Sequence, residues 1–304
     1  MAGASGAIAP PERRHSRLLA SGWLPVVVLA VPFVISVIQL ATRHWVPVLD
    51  MAMTELRVRD VGGRHTPLIG LPGRIGNFPD QGSHPGPLSF LLLAPPYRLL
   101  GSSAWALLAA TCAIAIMVLG AAMAIARRLG GPLLRLGMLA VALVVVQGYG
   151  LGVLTQPWNP YFPLLFWFLT FVGAWAVLAG DDAVLWLVVL AGCVCAQTHI
   201  SYLILAVVVV VLAIGVVAVR TVRGADSRRR RLRILAISVG VGVVVWLPPI
   251  ADQLRHTPGN ISMLRDNFEH PTEAVLGFRN GASLLLRHLD LAHFLLGSVN
   301  GSGS

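Results

Sequence analysis

Residues 87–100 read PLSFLLLAPPYRLL, and whether this apolar stretch crosses a bilayer decides the topology of everything after it. A span needs roughly 20 apolar residues. This one is shorter, and the pair Pro95-Pro96 breaks it by removing helical N–H donors. Charge bookkeeping decides its side. Arginines in short loops stay cytoplasmic, and the clusters to reconcile are Arg13, Arg14 and Arg17, then Arg127, Arg128 and Arg135, then Arg220, Arg223, Arg228 to Arg231 and Arg233. If residues 87–100 crossed, the later clusters would face outward. Read instead as a helix lying at the outer surface, or re-entering it, the stretch leaves seven apolar spans at 23–41, 103–126, 132–147, 162–178, 183–196, 202–219 and 234–247. With a cytoplasmic N-terminus, every arginine cluster then falls inside.

Composition agrees. With 56% hydrophobic residues, 12% charged ones and a mean hydropathy of +0.76, the chain is far from a soluble globule, where roughly a quarter of residues are charged. The expected fold class is all-α, a polytopic transmembrane helical bundle of about seven spans in the plasma membrane. Residues 1–250 form its membrane domain, and 251–304 read as an extracytoplasmic segment that begins a further C-terminal part. The net charge of +10 sits in short clusters beside apolar spans, not in a stripe that could track phosphates. Nucleic acid is therefore excluded, and the lipid bilayer is the implied partner. The first apolar run follows three arginines like a signal peptide, but it is long enough to span and no small-residue cleavage site follows it, so it reads as an uncleaved helix. Cys112, Cys193 and Cys195 all lie in apolar segments and read as small buried hydrophobes.

The polar chemistry gathers in the first outer loop. Residues 48–90 carry Asp50, Glu55, Asp60 and Asp80, four of the chain's 13 acids, together with Arg57, Arg59, Arg64, Arg74, His65 and His84. A helix from Asp50 to about Asp60 would put Asp50, Thr54 and Arg57 on one face at about 100° per residue, and would make Glu55 and Arg59 a surface i,i+4 salt bridge. Asp50 has two readings, a helix N-cap or a carboxylate held at lipid-headgroup depth beyond the interfacial Trp45. Arg57, Arg59, Arg64, His65 and His84 are candidates to neutralise a phosphate, since guanidinium binds its oxygens bidentately; local acids or lipid headgroups would also engage them. The stretch 82–87, Gly-Ser-His-Pro-Gly-Pro, is a stiff turn holding His84. Gln156 and Asn159 stand in a similarly rigid Gln-Pro-Trp-Asn-Pro loop, and His199 emerges where two helices meet outside. As a lone histidine at a helix end, His199 also reads as a cap.

These stretches, DMAMTELRVRDVGGRHTPL, HPGPLSFLLLAPPYRLLG, QPWNPYFP and AQTHISY, resemble the GT-C superfamily of membrane glycosyltransferases, and most of all its actinobacterial cell-envelope branch, over roughly residues 20–260. The resemblance implies an inverting transfer of a sugar from a polyprenyl-phosphate donor to an acceptor hydroxyl on an extracytoplasmic glycan or lipid, with no cofactor. It further implies that Asp50 is the general base, with Asp60 left as the alternative acid. The cations named above, with Asn159 and His199, would bind the donor. Metal-using relatives carry an acid in the second outer loop, but residues 149–161 contain none, so a metal-independent mechanism is expected. Two other classes remain: a non-catalytic binder or transporter of the lipid carrier, and a structural subunit of an envelope-assembly complex. Transport would need polar groups deep in the spans, and beyond Gln39, Thr111 and Thr170 there are few.

Overall fold

The computed structural model describes residues 23–42, 45–76, 81–224, 227–271 and 276–288. The expectations resting on Arg13, Arg14, Arg17, Asp80 and the last 16 residues lie outside them. Its helices are α1 (Leu24–Ala41), α2 (Asp50–Asp60), α3 (Leu88–Leu99), α4 (Ala104–Leu129), α5 (Pro132–Tyr149), the single turn α6 (Leu151–Leu154), α7 (Pro163–Leu178), α8 (Leu185–Thr198), α9 (Ile200–Arg223), α10 (Arg228–Arg255), α11 (Asn260–Glu269) and α12 (Gly277–His288). A two-stranded antiparallel hairpin, β1 (Pro72–Ile75) with β2 (Gly82–Ser83), interrupts them.

Each of the expected apolar segments is helical. Five helices, α1, α4, α5, α9 and α10, are long and apolar enough to cross a membrane, and α7 and α8 are shorter apolar helices. Their boundaries follow local chemistry. Prolines open α5 and α7, where a missing N–H costs nothing, and the Ser103 hydroxyl caps α4 by accepting from the Ala106 N–H at 3.2 Å. Gly150, at φ +76°, ends α5 in a conformation that favours glycine.

Burial separates core from lipid-facing helices. The apolar window of α4 is 67% buried, whereas those of the other four long helices are 11–17% buried. Alanines 106, 110, 122 and 126, all fully covered, let the neighbouring helices close on α4. On α9, by contrast, Val207, Val208, Val211 and Leu212 stand exposed. Apolar surface on that scale belongs in lipid, so the protein is a membrane-embedded helical bundle.

One expectation about proline is corrected. Pro95-Pro96 does not break α3, which continues through both to Leu99. Proline's φ is already near the helical value, and burying Phe90, Leu93, Ala94 and Tyr97 outweighs the hydrogen bonds lost at the preceding turn. Helix α10 likewise runs unbroken through Pro248-Pro249 to Arg255. Pro249 has no N–H for the Val245 carbonyl one turn back. Gln197, fully buried at the end of α8, supplies the donor instead, its Nε2 lying 2.8 Å from that carbonyl oxygen.

Candidate functional site

Helix α2 begins at Asp50 as its sequence spacing predicts, but Asp50 does not cap it. The N-cap position is Leu49, which carries no capping side chain and sits at φ +49°. A non-glycine residue there is strained by about 1–3 kcal/mol, and the strain lies immediately before the candidate base. The expected pair Glu55–Arg59 forms, with Nη2 to Oε1 at 2.6 Å, but it is not a surface bridge. Glu55 is buried against α3 and also accepts from the Tyr97 hydroxyl at 2.7 Å, while that same hydroxyl accepts from Arg59 Nε at 2.8 Å. Burial raises the Tyr97 pKa, and its hydrogen bond to Glu55 adds to this. Arg59 thus belongs to a closed three-membered anchor that fixes α2 on α3. It is engaged rather than free to meet a phosphate.

The hairpin carries His84 to the bundle end. Its backbone is pinned on both sides, the His84 N–H donating to Leu71 and its carbonyl accepting from Gly70. A Cβ on Gly70 would lie 2.8 Å from His84 Cβ, so only glycine lets the chains pass this closely. Two residues on, the Gly86 N–H donates to the Gln197 carbonyl, tying the loop to the end of α8. A Cβ there would lie 2.3 Å from Gln197 Oε1. His84 Nδ1 accepts from the Ile200 N–H at 3.2 Å, an otherwise unpaired donor in the first turn of α9.

His199, between α8 and α9, stacks on His84 with ring centroids 4.5 Å apart and planes 30° from parallel. Its own Nδ1 accepts from the Ser201 N–H, so the cap reading of this residue holds as well. Burial pushes His84 down to about 4; a charge on His199 would push the same way, and only Asp50 opposes them. Burial lowers His199 too. Near neutral pH His84 is therefore uncharged, with its proton on Nε2 because Nδ1 is an acceptor. Desolvation makes the imidazolium costly there, so the ring presents hydrogen-bonding groups rather than charge.

Asp50 reaches the same place from α2. Its Oδ2 accepts from Trp158 Nε1 at 2.8 Å, so the rigid second loop holds the carboxylate of the first. Trp158 in turn stands edge-on to Tyr161 at 4.7 Å, and the Pro160 carbonyl accepts from the Tyr202 hydroxyl. Asn159 is buried beside it and makes no side-chain hydrogen bond among the described residues. Gln156 turns back to the Gly152 carbonyl.

The structure therefore brings Asp50, His84, His199 and the loop bearing Asn159 to one end of the bundle. It does not join Arg57, Arg64 or His65 to them by any hydrogen bond or ion pair among the described residues. Arg64 and His65 stand exposed in the turn after α2, and Arg57 is half-buried two helical turns from Asp50. Asp60, the alternative acid, lies at the far end of α2, about 15 Å away at roughly 1.5 Å per residue.

Several supporting residues escape sequence reasoning. Asn260 at the start of α11 accepts from the Ser83 N–H at 2.8 Å and donates to the Ser83 carbonyl at 3.1 Å. Buried Asp252 fixes it, accepting from the Asn260 N–H at 3.0 Å. Asn267 accepts from the Gly76 N–H. The segment after α10 is thus docked on the hairpin that carries His84. Tyr97 and Gln197 were equally silent, and Trp158 stood out only as an aromatic of the rigid second loop, although an internal proline pair in α10 was a readable sign that some neighbour must supply a donor.

Fold and site together define an all-α, membrane-embedded bundle with a polar carboxylate–histidine cluster at one end. Compared against protein-family models, curated proteins and solved structures, the chain matches none.

Proposed function

We propose that this chain is a GT-C-like glycosyltransferase that moves a sugar from a polyprenyl-phosphate donor to an acceptor hydroxyl on an extracytoplasmic envelope glycan or lipid. One observation carries the reading: Asp50, from the first loop, is hydrogen-bonded to Trp158 of the second, beside the stacked His84 and His199. Residues far apart in sequence and resembling that superfamily's loops thus meet at one point.

The proposed orientation has its own support. Helices α4 and α9 start near the cluster and end at Arg127, Arg128, Arg220 and Arg223, and α10 starts with Arg228 to Arg231. The basic ends lie opposite the cluster, which under the positive-inside rule supports an outer position for the cluster. It also agrees with seven crossings, α7 and α8 among them.

In the proposed reaction the acceptor hydroxyl gives its proton to the Asp50 carboxylate as its oxygen attacks the anomeric carbon. The bond from that carbon to the phosphate oxygen breaks, and the polyprenyl phosphate leaves with the electron pair, inverting the anomeric centre. Trp158 keeps the carboxylate aimed. The neutral Nε2–H groups of His84 and His199 are hydrogen-bond donors for substrate oxygens, while Arg57 and Arg64, which make no hydrogen bond or ion pair among the described residues, are near enough in sequence to answer the phosphate charge. No acid stands in the second loop, in keeping with a reaction that needs no metal.

The test is Asp50→Asn, assayed for transfer from a synthetic polyprenyl-phosphate sugar. A fall of about 10²–10⁴-fold in turnover with donor binding retained is expected of a general base. Undiminished turnover rejects Asp50, and a parent protein that binds the donor without transferring sugar is a carrier binder.

A further inference from the structure

At the end of α9 away from the histidines, a trough of about 850 Å³ opens along one face of that helix and is met by the first turn of α10. Val211, Gly215, Val216 and Val219 line it, and Arg220, Arg223 and Arg231 close its end. From Val211 to Arg223 the helix rises about 18 Å at roughly 1.5 Å per residue. One leaflet of a bilayer's hydrocarbon is about 15 Å, half of the roughly 30 Å core. The apolar floor, Val211 to Val219, takes up about 12 Å of the helix's rise, most of the depth of a single leaflet, so the positive charge begins close to where headgroups begin.

The basic end is built, not merely exposed. Arg220 donates to the carbonyls of Val177 and Leu178 at the end of α7 and pairs with Asp182 at 2.7 Å. Arg231 pairs with the other oxygen of the same carboxylate at 3.1 Å. One carboxylate therefore holds two guanidiniums side by side at the rim. Arg223, exposed beside them, makes no hydrogen bond or ion pair among the described residues. A free anion would be served by the arginines alone. The apolar trough beneath them suits a ligand that also carries a tail.

We propose that this trough is a specific site for an anionic glycerophospholipid of the inner leaflet, with one acyl chain laid along Val211–Val219 and the phosphate against Arg223 and the Arg220–Arg231 pair. It is separate from the sugar-transfer cluster and does not depend on that reading. Arg223 supplies headgroup affinity, and the open face at Gly215 gives the chain room, since a Cβ there would meet nothing within 4 Å.

Native mass spectrometry of the full chain in neutral detergent tests this with added palmitoyl-oleoyl phosphatidylglycerol, phosphatidylcholine with the same chains, and glycerol phosphate. Phosphatidylglycerol is expected to bind one per chain, at least about fivefold more tightly than phosphatidylcholine, the margin one interfacial arginine contributes. Arg223→Ala should erase most of that preference, and because its side chain makes no hydrogen bond or ion pair among the described residues the variant reports binding rather than folding. Gly215→Phe should reduce retention of phosphatidylglycerol while the thermal unfolding midpoint stays within a few degrees of the parent. Equal retention of the two lipids, or phosphatidylglycerol binding unchanged in both variants, overturns the proposal. Full competition by glycerol phosphate also overturns it, since that would reveal an anion site indifferent to the tail.

Discussion

Lowering the pH from about 8 to about 5 is expected to destabilise the folded protein through His84. In the unfolded chain this imidazole has its ordinary value of 6.5; in the fold, burial holds it at about 4. Above 6.5 neither state binds the proton, and the residue adds no pH dependence. Between 6.5 and 4 only the unfolded state takes it up, so stability falls with acidity; below 4 both are protonated and the loss is complete. With 1.36 kcal/mol per pKa unit, the loss is about 2 kcal/mol near pH 5 and about 3 kcal/mol once the fold titrates. The direct assay is NMR of the protein with ¹³C-labelled histidine, with the His84 signal assigned by its absence in His84→Gln. That signal should hold its neutral position down to about pH 5. Unfolding of the parent should steepen with acid relative to His84→Gln. The neighbours supply signs: Asp50→Asn should lower the midpoint further, and His199→Gln should raise it. A midpoint near 6.5, or a parent whose stability tracks that of His84→Gln, would refute the reasoning.

Tyr97→Phe removes the hydroxyl shared by Glu55 and Arg59 and should cost about 1–3 kcal/mol in unfolding free energy, because Glu55 stays buried with one partner fewer. Gln197→Leu leaves the Val245 carbonyl without a donor and is expected to lower stability by a similar 1–3 kcal/mol, seen as a reduced thermal midpoint in detergent. Asn260→Ala should speed hydrogen exchange at the Ser83 amide while exchange in the middle of α4 stays unchanged; an unaltered Ser83 rate would show that the amide is protected otherwise. Trp158→Phe keeps an aromatic side chain but removes the bond to Asp50, so on the proposed mechanism turnover should fall more than substrate affinity.

How much of this was legible beforehand depended on distance along the chain. The helix from Asp50 to Asp60 and the Glu55–Arg59 pair were readable because both obey a local period. The third member of that pair's network was not, since Tyr97 lies 42 residues from Glu55 and nothing in its own sequence marks it as a donor. Loop topology predicted that His84 and His199 share a side, but not that they stack, nor that burial keeps His84 uncharged near neutral pH. Pro95-Pro96 misled because proline's local cost was weighed without the packing of Phe90 and Tyr97 that repays it. Asn260 was invisible: a polar residue just past a glycine looks like any other helix start.

That asparagine has a mechanical consequence. A carboxamide presents the same donor and acceptor as a peptide unit, so Asn260 finishes the open margin of β2 as a one-residue substitute for a third strand. An extended segment from another chain that sought to extend this hairpin would find that margin occupied. Admitting it would mean prying α11 away, and the lever arm for that motion runs through Asp252 into the last turn of a bilayer-length helix.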